Sequence, residues 1–526
     1  MVESGQQRIQ PQAFQWAVRF VLCFALWIPG FSSAWGENAL DLFSPSTASP
    51  SARRTASAQA GYPLNINFDA LASGAVISNT LIRCEPEPGL FFTARVQRIE
   101  TDVNGTLTLW GPLEGRESGH FSLSVTDHQA LGEILLPDEQ RRHVIRFDAA
   151  QDQNVSEPLT DGQIDELPTG PSIVPPLPDP AAATVSGADK KAMSLSDLAD
   201  DGNTVIDLMI VYTPAAATWA GGTAGINNVI AQAMSRAQTA MDNSHIAITF
   251  RLVHSAQISY TESGSSNTDV ERLQKTSDGY MDEVHTWRDQ YGADVVSLMT
   301  TANDTGGLGY LLGSTGGMPT YAFNLTRVQQ AATTYTVIHE IGHNMGAHHH
   351  KAQNVQPGPG LYSYAAGWRW TGTNGIRYCS VMSYDSGTYF ADGLTHTRVA
   401  YFSNPNVNHQ GVPTGDAADG DNARTLGNVR GVVSAYRTAT SQPFWCRATP
   451  LNNRVLLRWE DPLECGFASK IVHIRSGSTN YPAATNQGSF VYQGTAQQCI
   501  HTNPISKQPN YYTIWLSNDG STFVEP

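Results

Sequence analysis

The hydrophobic and polar positions divide the chain into blocks with different periodicities. Between about residues 62 and 150, short β-prone runs such as "GTLTLWGPL" and "HFSLSVTD" alternate with turn residues. This pattern predicts strands. Residues 35–60 are rich in Ser, Ala and Pro and are predicted to be disordered. We therefore predict a β-rich pro-region over residues 35–160. A Pro- and Ala-rich linker over residues 161–202 follows, with a composition that cannot build a core.

The next block alternates strands and helices. Apolar runs at residues 204–214, 246–258 and 293–300 predict buried strands. Helical spacing marks residues 225–244, and a second helical stretch is interrupted near Gly279. A βαβαβ order predicts an α/β domain with a largely parallel twisted sheet, here over residues 203–440. The glycine-rich "TGGLGYLLGSTGG" is predicted to be a loop with a short edge strand, because it lacks the phosphate-binding pattern.

The two ends of the chain have patterns of their own. Residues 441–526 contain regularly spaced strand patterns, which predict a β-sandwich. At the other end, Arg8 and Arg19 precede and border an apolar run over residues 20–31, and small residues end at Ala34. This pattern predicts a signal peptide over residues 1–34 and a secreted, extracellular protein. The alternative is an uncut membrane anchor. No other segment is long and apolar enough to span a bilayer.

Composition and charge limit the classes of partner that the sequence predicts. The chain is 40% hydrophobic and 15% charged, which suits an extracellular globular protein. A formal net charge of −15 argues against nucleic acid or anionic membranes as main partners. Of the six cysteines, Cys23 leaves with the signal peptide and Cys84 stands alone. One or two disulfides are expected among the remaining four, with the pairing left open: these are Cys379, Cys446, Cys465 and Cys499.

The stretch "HEIGHNMGAHHH", residues 339–350, carries the chemistry. His339 and His343 are four residues apart, so on a helix both rings lie on one face. Gly346 can take the left-handed conformation that ends the helix and returns the chain. The spacing H-E-x-x-H-x-x-G-x-x-H then selects His349 from the final triplet. The alternative is a histidine-rich helix end without a metal.

Three imidazoles leave one position of a tetrahedral zinc ion open to water. Zinc lowers the pKa of such a water to about 7. Glu340, next to the first ligand, is the predicted general base that takes the proton and passes it to the leaving amine. The sequence thus predicts one catalytic Zn²⁺ and peptide hydrolysis without a covalent intermediate.

The long motif resembles that of the metzincin metallopeptidases. The resemblance implies that Met382, in "YCSVMSY", is the methionine of the turn beneath the zinc, and that Tyr384 ligates zinc or steadies the transition state. Over residues 203–437 the chain resembles the bacterial peptidyl-Asp metallopeptidases, mainly through "IDLMIVYTPAA", the zinc helix and residues 402–429. This resemblance implies cleavage on the N-terminal side of Asp-type residues. His350 stands where many reprolysins have Asp.

An acidic-residue pocket would need a cation. The sequence offers Arg327, Arg369 and Arg377 as candidates.

The flanking regions complete the hypothesis. The pro-region would keep the protease inactive as a zymogen, and Cys84, in "RCEPEPG", loosely resembles the cysteine switch of matrix metalloproteinases. The alternative is a buried, inert cysteine.

Residues 441–526 resemble a fibronectin type III-like module, expected to serve surface or matrix attachment, substrate positioning or stability. The rival function is a secreted adhesion or binding protein with an inactive metzincin-like domain. An intact Glu340 argues against it. Protein or peptide substrates are the expected partners.

Overall fold

The structure is a computed structural model that describes part of the chain. The described residues are 39–46, 61–164, 166–175, 203–438, 446–451, 454–459, 471–478, 482–495, 498–502, 504 and 510–517. The predicted signal peptide, residues 1–34, lies outside them. Within the described ranges, no helix is both long enough and apolar enough to cross a membrane.

The N-terminal domain is a single large sheet. Within residues 39–46 and 61–164 it has ten strands in the order β4-β3-β1-β2-β10-β9-β8-β7-β6-β5, antiparallel except for the β1–β3 pair. Its elements are β1 Leu40–Pro45, β2 Tyr62–Ile66, α1 Phe68–Ala72, β3 Leu81–Glu87, β4 Leu90–Arg95, β5 Arg98–Thr101, β6 Leu107–Pro112, β7 His120–Thr126, β8 Gln129–Leu136, β9 Arg141–Asp148 and β10 Gln153–Thr160.

Strand β1 corrects the prediction of disorder over residues 35–60 for Leu40–Pro45, and residues 47–60 lie outside the described residues. It lies inside the sheet, between β2 and β3. Leu42 and Phe43 are 0% and 3% exposed, respectively, so this short segment contributes two side chains to the domain core. Burying two such side chains is worth several kcal/mol, at about 1.5–3 kcal/mol each. That gain outweighs the disorder-prone composition of the flanking sequence.

The central domain has the α/β architecture that the alternation of elements predicts. Its described sheet runs in the order β12-β11-β13-β15-β14. Strands β12, β11, β13 and β15 are parallel, and the edge strand β14 is antiparallel to β15. The strands are β11 Thr204–Tyr212, β12 Ile248–Gln257, β13 Val295–Thr300, β14 Gly307–Gly309 and β15 Phe323–Arg327.

Helices cover both faces of this sheet. Successive residues of β11 point to opposite faces: Leu208 and Ile210 pack in one core, Met209 and Val211 in another. A sheet buried on both faces explains the nearly continuous apolar run of β11. Helices α3 and α7 contribute to the first core, and α4 and α5 to the second. The helices are α2 Pro214–Trp219, α3 Thr223–Asn243, α4 Ser266–Gln274, α5 Glu283–Tyr291, α6 Val328–Thr333, α7 Thr336–Asn344 and α8 Asn422–Val433.

Beyond α7 the described chain has mostly loops and short strands. A three-stranded sheet in the order β16-β17-β18 and a two-stranded pair, β19 and β20, fix these loops. The strands are β16 Arg369–Thr371, β17 Arg377–Cys379, β18 Thr397–Arg398, β19 Asn408–His409 and β20 Val412–Pro413.

The described C-terminal residues form two three-stranded sheets, β21-β22-β25 and β24-β23-β26. Leu457 of one sheet clusters with Val472 and Ile474 of the other, so the sheets share a small core. The β-sandwich and its fibronectin type III-like resemblance stay predictions. The strands are β21 Cys446–Leu451, β22 Arg454–Trp459, β23 Ile471–Gly477, β24 Ser489–Gly494, β25 Gln498–His501 and β26 Tyr511–Ser517.

The N-terminal domain contacts the central domain through a polar face of α3. Gln232 is fully buried and bonds to both Ser122 and Ser124 of β7, each at 2.9 Å. Arg236 donates to the carboxylate of Glu133 in β8 at 3.1 Å. Helix α3 therefore presents apolar side chains to the sheet and polar side chains to the N-terminal domain.

Candidate active site

Helix α7 and the turn that follows it bring three histidines together. His339 and His343 lie one turn apart on the helix. Gly346 has a φ of 81°, and a Cβ added there would lie 2.7 Å from Cβ of Leu361. Both facts require glycine at this turn. The chain then returns past the helix and delivers His349 to the same point.

The geometry of the three rings fits a zinc ion. Nε2 of His349 lies 3.0 Å from Nε2 of His339 and 3.1 Å from Nε2 of His343. Each Nδ1 donates to a backbone carbonyl at 2.9–3.0 Å, which leaves every Nε2 with a lone pair aimed at one point. A tetrahedral ion bound at about 2.0–2.1 Å from each nitrogen needs this kind of spacing. The carbonyls belong to Val381, Ala347 and Gln356.

Burial also prepares these rings as ligands. All three are at most 1% exposed, and burial lowers their pKa well below the ordinary value. They are therefore neutral at physiological pH, which is the form that binds a metal.

Glu340 is placed as an available carboxylate beside the histidines. It is fully buried, and neither carboxylate oxygen has a hydrogen-bond partner among the described residues. Burial raises its pKa well above the ordinary value. Strand β14 leaves room for it, because a Cβ at Gly307 would lie 2.5 Å from Oε1 and a Cβ at Gly309 would lie 3.1 Å from Oε2.

Met382 lies beneath the ligands. It is fully buried, and a Cβ added to Gly342, between the two helical histidines, would lie 2.8 Å from its Sδ. The preceding residue, Val381, supplies the carbonyl that orients His339. The turn thus supports the histidine group from below, where the sequence resemblance places the turn methionine.

Tyr384 lies at the rim of the histidine group. Its ring centroid is 4.9 Å from that of His349. Burial raises the pKa of its phenol, so the hydroxyl is neutral and can donate. It donates to the carbonyl of Thr169 at 2.7 Å and lies 2.6 Å from Oγ1 of the same residue.

The predicted linker supplies Thr169. We call residues 166–173 the cleft segment, because they fill the groove between strand β14 and the histidines. Oγ1 of Thr169 lies 3.4 Å from Nε2 of His339, and Oγ of Ser172 lies 3.2 Å from Nε2 of His343. Two hydroxyl side chains therefore face the point where a metal would bind.

The cleft segment extends the central sheet. The amides of Gly170 and Ile173 donate to the carbonyls of Gly307 and Gly309 at 2.7 and 3.0 Å. Ile173 pairs in parallel with Tyr310. Adding a strand to an exposed sheet edge is a common mode of peptide binding. The segment therefore occupies the position that an extended peptide would take.

Two further contacts hold the beginning of the cleft segment. The amide of Leu167 donates to Oε1 of Gln330 at 2.8 Å, and Nε2 of Gln330 donates to the carbonyl of Leu167 at 3.1 Å. Glu166 forms an ion pair with Arg398. Sequence reasoning missed the segment and Arg398, because no local pattern reports a pair separated by 232 residues.

The structure corrects the predicted position of Cys84. Alternation along β3 turns this side chain into the N-terminal core, where it is fully buried among hydrophobic residues. Burial raises the pKa of its thiol, which favours the uncharged form. The only group of metal-binding residues found within the described ranges is the three histidines. Cys84 is thus not brought to the site, and this placement matches the inert alternative.

Of the three arginines predicted from the sequence as cations of an acidic-residue pocket, two are bound to a neighbouring loop. Arg369 binds Asp392 at 3.1 Å, and Arg377 donates to the carbonyl of Thr395 at 3.1 Å, so both fix the loop after Tyr384. Arg327 ends strand β15. Of the other histidines, His348 accepts a hydrogen bond from the amide of His349 at 2.7 Å, and the ring of His350 stacks on Trp368.

The predicted disulfides are absent from the side chains that can be described. Cys379 and Cys499 are free thiols. The side chain of Cys446 and the whole of Cys465 lie outside the described residues.

Comparison with protein-family models gives a match over the part of the chain that carries this site. Residues 202–403 match the family model Reprolysin_5, described as Metallo-peptidase family M12. The match includes the histidine group, Glu340, Met382 and Arg398.

Two bacterial relatives carry a more particular name. The peptidyl-Asp metalloendopeptidase of Stenotrophomonas maltophilia (strain R551-3) is 35% identical over 232 residues, which are 44% of this chain and 52% of that protein. The protein of the same name from Xanthomonas campestris pv. campestris is 31% identical over 293 residues, 53% of this chain and 64% of that protein. The chain therefore spans about half to two thirds of the length of these curated relatives.

Among solved structures, metalloproteinase-II from Bacteroides fragilis aligns with 56% of this chain and 88% of that chain. The identity is 12% and the TM-score 0.35.

Proposed function

We propose that the chain is a zinc-dependent endopeptidase, made as a secreted zymogen by a bacterium. One observation carries the proposal. Three neutral imidazoles converge at 3.0–3.1 Å beside the buried carboxylate of Glu340, which has no hydrogen-bond partner among the described residues. A structural metal site does not need such a carboxylate, whereas hydrolysis needs a base beside the reacting water.

The residues suggest a division of labour. His339, His343 and His349 would hold one Zn²⁺, which supplies Lewis acidity to the scissile carbonyl. Glu340 would take a proton from the attacking water and return it to the leaving amine. Burial raises its pKa above the ordinary value of a glutamate, which favours the step in which it accepts the proton. Tyr384, once free of Thr169, would donate a hydrogen bond to the developing oxyanion.

Latency would come from the cleft segment. Its hydroxyls face the histidines and its backbone takes the edge of β14, so a substrate peptide cannot bind at the same time. The polar interface with α3 supports a removable N-terminal domain, since a polar face remains soluble after the domain leaves. We propose this blockade in place of a cysteine switch.

Cleavage on the N-terminal side of Asp-type residues is the proposed specificity. It rests on the names of the relatives, which are 31–35% identical to this chain. The C-terminal sheets would serve attachment or substrate positioning outside the protease.

The test uses the full chain, because latency and catalysis are both part of the proposal. Zinc is measured per chain by mass spectrometry. The chain is then treated with trypsin, which can cut at Lys190 and Lys191, until casein cleavage is constant, and trypsin is inhibited. We expect about one zinc per chain. Glu340→Gln should retain zinc and lose about 10²–10⁴-fold in kcat/KM.

Glu283→Gln is the matched control, because Glu283 begins α5 and touches none of the site residues described above. It should behave as wild type. Equal activity in wild type and Glu340→Gln would refute the assigned base. A treated, zinc-loaded wild type without any activity would instead favour the rival function, a secreted binding protein with an inactive protease fold.

A further inference from the structure

Arg398 is a buried cation beside the active-site turn. Its side chain is 11% exposed. Nε donates to the carbonyl of Ser383 at 3.2 Å, and Ser383 lies between Met382 and Tyr384. The guanidinium is therefore fixed to the same turn that supports the histidines, although no step of the proposed hydrolysis uses it.

The main partner of this cation belongs to the cleft segment. Glu166 forms the ion pair through Nη1 of Arg398, three residues before Thr169, whose hydroxyl faces His339. The cleft segment thus places the carboxylate of Glu166 at Arg398 and the hydroxyl of Thr169 at the histidine group. A fully extended residue spans about 3.3–3.6 Å, so the two points are at most about 10 Å apart along the chain.

Removal of the cleft segment changes the charge balance around Arg398. Asp385 stays, but its oxygen is 3.5 Å from Nη2, and its side chain is 39% exposed. Arg142, which also acts on Glu166, belongs to the N-terminal domain and leaves with it. The buried guanidinium then keeps only the longer contact with Asp385, so another carboxylate can take the place of Glu166.

We infer that Arg398 is the cation of a substrate subsite for an acidic side chain, and that Glu166 fills this subsite while the cleft segment is in place. The inference rests on the proposed function, since a subsite requires a peptidase. It is an alternative to Arg369 and Arg377, which hold a neighbouring loop. On this inference, Arg398 has two roles: it binds Glu166 in the whole chain and an acidic substrate side chain after processing.

The first test compares two peptides in the trypsin-treated full chain. They differ only by Asp or Asn after the scissile bond, so shape is kept and charge is removed. Wild type should prefer Asp by about 10- to 100-fold in kcat/KM, the range of a charge-assisted contact. Arg398→Gln should reduce this ratio to near one, mainly by raising KM for the Asp peptide. Arg398→Lys should keep part of the preference.

Arg251→Gln is the matched control, because Arg251 forms a comparable ion pair with Asp207, at 2.6 Å, in the sheet. Its Asp-to-Asn ratio should equal that of wild type. If Arg398→Gln lowers kcat/KM for both peptides equally, Arg398 is only structural and the inference is wrong. If wild type cleaves neither peptide nor casein, the proposed function itself fails.

The second test needs no altered enzyme and so does not depend on the folding of a variant. Synthetic ELPTGPSI, the sequence of residues 166–173, and its QLPTGPSI counterpart are added to treated wild type. The Glu peptide should inhibit at about tenfold lower concentration than the Gln peptide. Equal inhibition would overturn the role of Glu166 as the occupant of the subsite.

Discussion

At the scale of single residues, the glycines of β14 determine where the carboxylate of Glu340 can lie. Gly307 faces that side chain so closely that an added Cβ would lie 2.5 Å from Oε1 and 2.8 Å from Cγ. Real Cβ contacts are longer than this, so the fully buried carboxylate would have to shift within the packed interior. The composition of the glycine-rich stretch predicts a loop with a short edge strand. Its glycines also make room for Glu340, the proposed base.

Gly307→Ala should therefore damage catalysis without removing the metal. Displacing the base by about 1 Å can cost about 100-fold in rate, so we expect a fall of that order in kcat/KM of the trypsin-treated chain. Zinc content should not change, since Gly307 does not touch the histidines. Gly427→Ala in α8 is the control, because a Cβ there meets nothing within 4 Å. It should keep full activity and stabilise the helix by about 0.5–1 kcal/mol. Loss of zinc in Gly307→Ala would contradict the explanation.

At the scale of elements, α3 packs apolar side chains against the central sheet and polar side chains against the N-terminal domain. Its apolar residues predicted the helix, but its polar residues are buried as well, against the N-terminal sheet. Glu133 is the centre of that contact and is 1% exposed. Burial alone would raise its pKa, but the nearby side chains of Arg236, His120 and Arg142 together hold the pKa well below the ordinary value.

The lowered pKa of Glu133 has a defined sign for stability. A carboxyl whose folded pKa lies below its unfolded pKa stabilises the folded state above the unfolded value, and this contribution is lost as pH falls towards the folded value. Glu133→Gln should lower the free energy of unfolding of the full chain by about 3–5 kcal/mol at pH 7, because it leaves buried arginine charge uncompensated. The gap between wild type and variant should be constant from pH 8 to 6 and narrow below about pH 4.5. Chemical denaturation at each pH measures it. A gap that widens on acidification would contradict the assigned shift.

Elements with a strong local period were predictable, and contacts across the chain were not. The spacing of His339, His343, Gly346 and His349 is local, so the motif alone is enough to predict the histidine group. Strand β1 was missed, because its short apolar run lies in a Ser- and Pro-rich sequence. The cleft segment was missed for a related reason: Pro168 and Pro171 indicate a linker, and only partners far along the chain hold that linker against β14.

At the scale of the whole molecule, the proposed latency would have two layers, and a single cut would not remove them together. The cleft segment, residues 166–173, lies on the N-terminal side of Lys190 and Lys191, where trypsin can cut. After such a cut the segment still belongs to the N-terminal fragment. That fragment is held by the contacts between α3 and β7–β8 and by the pairing along β14. On the proposed function, cutting the linker and opening the active site would thus be separate events.

We therefore predict that the linker is cut before activity appears. In a tryptic time course, gel electrophoresis should show the split chain first, and size exclusion should still find both fragments in one complex with little casein cleavage. Activity should rise only as the N-terminal fragment is degraded or dissociates. Glu166→Gln should shorten this delay, because it removes the ion pair with Arg398 while the rest of the interface is kept. Glu87→Gln, at the end of β3 in the same domain, is the control and should keep the delay. Activity that rises in step with the first cut would mean that the cleft segment does not block the site by itself.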